Sequence, residues 1–178
     1  AEARFLARGQ NFNIALKPDG NQVVLRHGGR GLSVGTQLLD SNPETVLRGE
    51  QPQPGKVNYP RGGMSLTGIP TYASVRYEHV YPGIDLVYYG NQQQLEYDFV
   101  VKPGADPKRI ALRFDGVDAV TLDTEGNLVL RAGTSEIVQH KPVVYQGVRE
   151  ARKTIKGEYR LLASNTVAFE VGPYDRSA

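Results

Sequence analysis

Glu96 and Asp98 stand two residues apart in the segment Leu95-Glu96-Tyr97-Asp98-Phe99. Successive side chains of a β-strand point to opposite faces, so both carboxylates project from the same face, about 6.5–7 Å apart. Two carboxyl groups at about that distance can divide the acid and base work of glycoside hydrolysis. The plainer account is a solvated polar face behind Leu95, Tyr97 and Phe99, balanced by a neighbouring Lys or Arg. His27, His79 and His140 lie far apart, and none has a second ligand at i+2 or i+4; ordinary polar or capping roles are expected. Gly31-Leu32-Ser33-Val34-Gly35 fits the G-x-S-x-G pattern, but that nucleophile needs a strand-to-helix turn and no helix follows. Asp115, Asp118 and Asp123 lie beside turns with Gly116 and Gly126. Oxygen-rich loops suit calcium, yet EF-hand spacing is absent, and turn-forming aspartate is the better account. No cofactor is expected.

Tyrosine is the compositional anomaly. Six of the ten tyrosines (Tyr72, Tyr77, Tyr81, Tyr88, Tyr89 and Tyr97) crowd into one stretch. Tyr is amphipathic and enriched at interfaces, so exposed rings would stack on sugars or anchor a partner chain. Tyr89, Tyr72 and Tyr81 are the candidate contacts, Tyr89 foremost because alternation turns Tyr88 inward. The competing account is a β-sheet core that uses Tyr with its hydroxyl at the rim.

The elements that would position these residues are strands. In Tyr77–Val101, Ile84, Leu86 and Tyr88 alternate with Asp85, Val87 and Tyr89. After a turn at Gly90-Asn91, Leu95, Tyr97, Phe99 and Val101 alternate with Glu96 and Asp98. That period of two marks a hairpin with one apolar face. Turn signals recur along the chain at Pro18-Asp19-Gly20, Gly28-Gly29, Gly62-Gly63, Pro82-Gly83, Pro103-Gly104, Asp115-Gly116 and Glu125-Gly126-Asn127. The intervening apolar runs predict strands at Ala3–Ala7, Phe12–Leu16, Gln22–Arg26, Gly31–Leu38, Thr45–Gly49, Ala73–Tyr77, Asp85–Tyr89, Gln94–Val101, Ile110–Phe114, Ala119–Leu122, Leu128–Arg131, Glu136–His140, Val143–Gln146, Glu158–Leu162 and Thr166–Val171. The expected fold is all-β: an antiparallel β-sandwich, or a pair of packed sheets, with meander hairpins and little helix. Asp106–Arg109 suits one helical turn, with Asp106 as N-cap and Pro107 at the first helical position. Gln51–Gly63 is rich in Pro and Gly. One β domain over residues 1–178 is expected, or two packed subdomains with a crossover loop near 51–70.

The chain has 21 basic and 19 acidic residues, a formal net charge of +2, with the signs interspersed. Nucleic-acid binding calls for a clustered basic stripe. The nearest approach, Arg149–Lys156, reads as a solvated strand or turn, so nucleic acid is not an expected partner. No apolar run approaches the ~20 residues of a membrane helix, and no membrane span is expected. A chain of this length buries about 70% of its unfolded surface. It needs no disulfide or metal to fold, and cysteine is absent. It opens Ala1-Glu2-Ala3 without Met, as a processed export product would.

The stretch Arg76–Gly116, RYEHVYPGIDLVYYGNQQQLEYDFVVKPGADPKRIALRFDG, closely resembles the β-rich N-terminal module of large exported bacterial proteins that carry SBBP-type β-propeller repeats. The likeness continues through Leu122-Asp123, Gly126–Leu130 and Lys141–Gln146, and ends near Phe169–Asp175. Its most specific parts are YPGIDLVYYGN and LEYDFVV-x-PGADP. The resemblance implies an exported, surface-associated, non-enzymatic module, with no catalytic residues to carry over. That module runs on into a propeller, whereas here the sequence stops at Ala178, which suggests a free-standing copy.

The expected function is therefore a structural subunit of an extracellular or cell-surface assembly. Self-association or other cell-surface proteins are the expected partners, and the signal peptide is expected to have been removed. Ala3, Phe5 and Ala7 share one face of the N-terminal strand. That strand could pair with a neighbour's free edge and build a filament by β-strand addition, or it could pair within its own sheet. A carbohydrate-binding or adhesion module using Tyr89, Tyr72 and Tyr81 on polysaccharide is the alternative, followed by a glycoside hydrolase using Glu96 and Asp98.

Overall fold

Short apolar runs separated by Gly, Pro and Asp turns can bury their alternate side chains only by pairing edge to edge and stacking the resulting sheets. The computed structural model describes residues 2–27, 30–61, 64–90, 95–147, 152–163 and 165–177. The expected turns at Gly28-Gly29 and Gly62-Gly63, the Asn91 side of the turn at 90–91, and the Arg149 end of the basic stretch lie outside these residues.

The strands are β1 (Phe5–Arg8), β2 (Phe12–Lys17), β3 (Gly20–His27), β4 (Arg30–Leu38), β5 (Val46–Arg61), β6 (Met64–Tyr81), β7 (Ile84–Gly90), β8 (Leu95–Val101), β9 (Ala111–Asp115), β10 (Ala119–Leu122), β11 (Leu128–Ala132), β12 (Ser135–Gln139), β13 (Val144–Gln146), β14 (Lys153–Ile155), β15 (Gly157–Leu161) and β16 (Thr166–Val171). A 3-10 turn spans Pro107–Arg109, with the Asp106 side chain accepting from the Lys108 N–H. A seven-stranded sheet runs in the order β1-β2-β3-β4-β9-β16-β15 and a four-stranded sheet in the order β5-β6-β7-β8. A three-stranded sheet, β10-β11-β12, and the β13-β14 pair complete the fold. Every pairing is antiparallel. The fold is an all-β arrangement of packed antiparallel sheets that do not close into a barrel.

One buried cluster joins three of these sheets. The seven-stranded sheet contributes Ile14, Leu16, Val34, Leu38, Leu112, Phe114 and Val167; the four-stranded sheet contributes Tyr77, Ile84, Leu86 and Tyr88; the three-stranded sheet contributes Leu128 and Leu130. Each such aliphatic or aromatic side chain, fully removed from water, stabilises the fold by roughly 1.5–3 kcal/mol before entropy is counted. The rings of Tyr77, Tyr88, Tyr97, Phe99, Phe169 and Tyr159 touch in sequence, with centroids 5.3–5.8 Å apart. Their hydroxyls are partnered: Tyr77 donates to the Gly20 carbonyl, Tyr88 accepts from Asn21, and Gln139 Nε2 donates to both Tyr97 and Tyr159. Hydroxyls without partners at these depths would cost more than the rings gain.

Two expectations are corrected. The loop foreseen across 51–70 is strand on both sides of a long hairpin. Proline and glycine misled because an edge ribbon tolerates missing N–H donors that a central strand does not. The basic stretch, expected as a solvated strand or turn, holds the largely exposed strand β14, paired with β13. The N-terminal strand starts at Phe5 rather than Ala3 and is paired in its own sheet, Phe5 opposite Leu16 and Ala7 opposite Ile14. Phe5 and Ala7 pack on the molecule's own core, so those side chains are not offered to a neighbour.

Candidate functional site

Register assembles the site. Glu50 lies opposite Ser74, Ser74 opposite Tyr89, and Tyr89 opposite Glu96. This transverse row crosses all four strands of the β5–β8 sheet on the face turned away from Tyr77, Leu86 and Tyr88. The adjacent row is Arg48, Arg76, Val87 and Asp98. Between the rows lies a shallow, open cleft of about 520 Å³, lined by Glu50, Ser74, Arg76, Val87, Tyr89 and Glu96 among others.

Charges within it are unevenly satisfied. Arg76 Nε reaches Glu50 Oε1 at 2.6 Å, and Arg76 Nη1 reaches Asp85 Oδ2 at 3.5 Å. The Glu50 hydrogen bond holds the Arg76 guanidinium above its already high ordinary pKa. Arg48 pairs with Glu78 at 2.7 Å. On the β7–β8 side the Tyr89 hydroxyl donates to Asp98 Oδ2 at 3.0 Å. Because that acceptor lies one row away, the ring leans across the sheet instead of standing on it. Burial pushes the Tyr89 phenol up to about 12, aided by the Asp98 hydrogen bond and the charges of Asp98 and Glu96. Among the described residues no Lys or Arg pairs with Glu96 or Asp98. The balancing cation expected for them is thus absent there. Tyr145, which is not part of the cleft lining but is near enough to influence Tyr89, is exposed and has the Arg152 guanidinium 4.1 Å from its ring centroid.

Asp85 belongs to the same face but serves the backbone. Between Tyr77 and Tyr81 the β6–β7 register shifts, and His79 takes a left-handed φ of 52°. Asp85 Oδ1 accepts the His79 N–H at 2.8 Å and so secures the bulge. Lys102 Nζ lies 3.7 Å from Asp85 Oδ2.

The other candidates disperse. Tyr81 is 1% exposed and donates to the Ala111 carbonyl, so it is a core residue and not a sugar contact. Tyr72 lies at the base of the long hairpin with its edge against Phe5; there Gly49 leaves room for the ring, since a Cβ at 49 would meet it at 2.4 Å. Ser33 is within β4 and accepts from Gln22, with no elbow. Asp118 accepts the Gly133 N–H, and Asp123 accepts the N–H groups of Glu125 and Asn127, which is turn chemistry. Among the described residues no three His, Cys, Asp or Glu side chains converge as metal ligands would. His79 and His140 lie on different elements, and the His27 side chain falls outside what is described.

A second feature emerges from β5 and β6, which hold 16 and 18 residues. The β7 strand pairs with β6 only from Ser74 onward. Among the described residues, 51–61 and 64–73 therefore find their strand partners only in each other and form an arm, with 51–56 exposed throughout. Sequence reasoning missed it because bulges at Gln53/Lys56 and Val57/Tyr59 break the alternation. It also missed Glu50, Ser74 and Arg76 as cleft residues, since only long-range register brings them beside Tyr89.

Residues 1–178 match the family described as a domain of unknown function, DUF7948. The chain belongs to that family. Neither the curated proteins nor the solved structures contain a match to it.

Proposed function

We propose that this DUF7948 chain is a non-catalytic, exported structural module of an extracellular or cell-surface assembly, joined to its neighbour through the β5–β6 arm. The arm carries the reading. A two-stranded ribbon with neither edge paired is marginal by itself, and its free N–H and C=O groups are a template for strand addition. Pro52, Pro54 and Pro60 interrupt β5, whereas β6 carries only Pro70 along the arm, so the open edge of β6 is the pairing edge. The likeness to exported propeller-bearing proteins supports a location outside the cell. The decisive experiment removes 51–73 and joins Glu50 to Ser74 through Asn-Gly, a two-residue turn that suits their direct pairing. Sedimentation should show assemblies for the intact chain and monomers for the armless one. Monomeric intact protein, or assemblies that survive the deletion, would rule the reading out.

The cleft favours a second reading, polysaccharide binding. Carboxylates without cations accept sugar hydroxyl pairs, and leaning rings give sugars a face to stack on. Calorimetric titration with neutral oligosaccharides should show binding that Tyr89→Ala weakens by about tenfold. Equal affinity in the variant would remove Tyr89 from the site. The hydrolase alternative has less behind it: Glu96 is exposed, and a general acid draws its raised pKa from burial.

A further inference from the structure

A smaller groove of about 340 Å³, sharing no lining residue with the β5–β8 cleft, runs over the end of the seven-stranded sheet. Its floor is Ala168 of β16, which is 4% exposed. Arg160 stands directly opposite Ala168 on β15. One wall is the 3-10 turn, which supplies Lys108; the other is the C-terminal tail, which supplies Tyr174 and Arg176. The Arg176 carbonyl accepts from the Gly104 N–H, tying that tail against the segment leading into the turn. Three elements far apart in sequence thus bring three cations to one concavity.

Among the described residues no carboxylate lies within ion-pair reach of Lys108, Arg160 or Arg176. Two carboxylates do line the groove. Asp106 is already engaged with the Lys108 N–H as a cap, and Glu170 lies on the β16 face across from Glu158. The Tyr174 hydroxyl is buried and has no hydrogen-bond partner in the protein. Converging cations repel one another, and that repulsion is strongest in a concavity, where water screens less. An oxyanion relieves it, because guanidinium groups offer planar pairs of donors to carboxylate, sulfate or phosphate.

We infer that this groove is an oxyanion-binding site, held by Arg160, Arg176 and Lys108 over Ala168 and opposed by Glu170. It is independent of the arm and of the β5–β8 cleft. The ligand chemistry is a carboxylate, sulfate or phosphate, whether free or repeated along an acidic polymer.

The test uses the full chain and two probes, inorganic phosphate by titration calorimetry and polygalacturonate by affinity electrophoresis. Saturable phosphate binding assigns a free oxyanion, and retardation in the polygalacturonate gel assigns an acidic polymer; either result supports the site. Arg160→Gln and Arg176→Gln change exposed side chains and should leave the thermal transition in place while weakening binding by about tenfold each. Glu170→Gln removes the opposing carboxylate and should tighten it. Binding should also weaken as sodium chloride rises. Absence of saturable binding to both probes, or binding that is unchanged in both arginine variants, overturns the inference.

Discussion

Asp85 and Asp98 are both aspartates on the outer face of the β5–β8 sheet, yet their surroundings give them different work. Asp85 is 8% exposed and holds a non-glycine residue at positive φ, a conformation that costs of order 1–3 kcal/mol and persists only where neighbours enforce it. Asp85→Ala would leave the His79 N–H without its acceptor and would remove the carboxylate beside Lys102 and the second one beside Arg76. The expected loss is about 1–3 kcal/mol in a denaturant titration. Asp85→Asn keeps an oxygen for that N–H and should lose less. An Asn variant as damaged as the Ala variant would show that charge, not the backbone hydrogen bond, dominates. Asp98 is half-buried, and among the described residues its side chain bonds the Tyr89 hydroxyl and supports no strained backbone. Alternation in the sequence placed Tyr89 and Asp98 outward but could not reveal that they bond diagonally. For Tyr81 it was not brought to bear, because the strand read at Ala73–Tyr77 stops short of it, whereas β6 runs on through the register shift to Tyr81.

At the scale of elements, the β7–β8 hairpin and the β5–β6 arm obey different rules. The hairpin has one apolar face on the core, so its register is pinned: a slip by one residue would expose Ile84, Leu86 and Tyr88 together. Among the described residues, the arm beyond Glu50 and Ser74 contributes no side chain to the fully buried cluster. The armless chain should therefore unfold within a few degrees of the intact one, by scanning calorimetry at equal concentration, after any contribution from assembly is diluted away. A large drop would mean that the arm is part of the fold rather than an appendage. β1 belongs with the hairpin in this respect, since Phe5 and Ala7 rest on the core although β1 is the first strand of its sheet. Strand positions were largely readable because apolar alternation marks them. The arm was not, since its exposure and bulges remove that signal.

For the whole molecule, the chain of buried rings sets an alkaline limit. Burial raises the Tyr81 and Tyr88 phenols to about 12 from an ordinary 10, and drives Tyr77 and Tyr97 up as well. A folded-state pKa above the unfolded one stabilises the protein fully below the unfolded value, and that contribution disappears as pH rises through the folded value. Stability should thus be flat up to pH near 10 and fall between about 10 and 12. Tyrosinate absorbance should rise gradually for exposed rings, then in one step that coincides with loss of the circular dichroism signal. A single gradual titration with the fold intact would contradict the buried ring chain. Composition and alternation alone determined that this protein is all-β, antiparallel and poor in helix, because strand periodicity and turn chemistry are local properties. They also determined which face of Tyr77–Val101 is apolar. Only the tertiary structure decided which strands neighbour one another, that the prolines at 52–60 lie in an arm, and which charged residues share a surface. Sheet order, bulges and convergent cations depend on contacts between residues distant in sequence, and no local pattern carries that information.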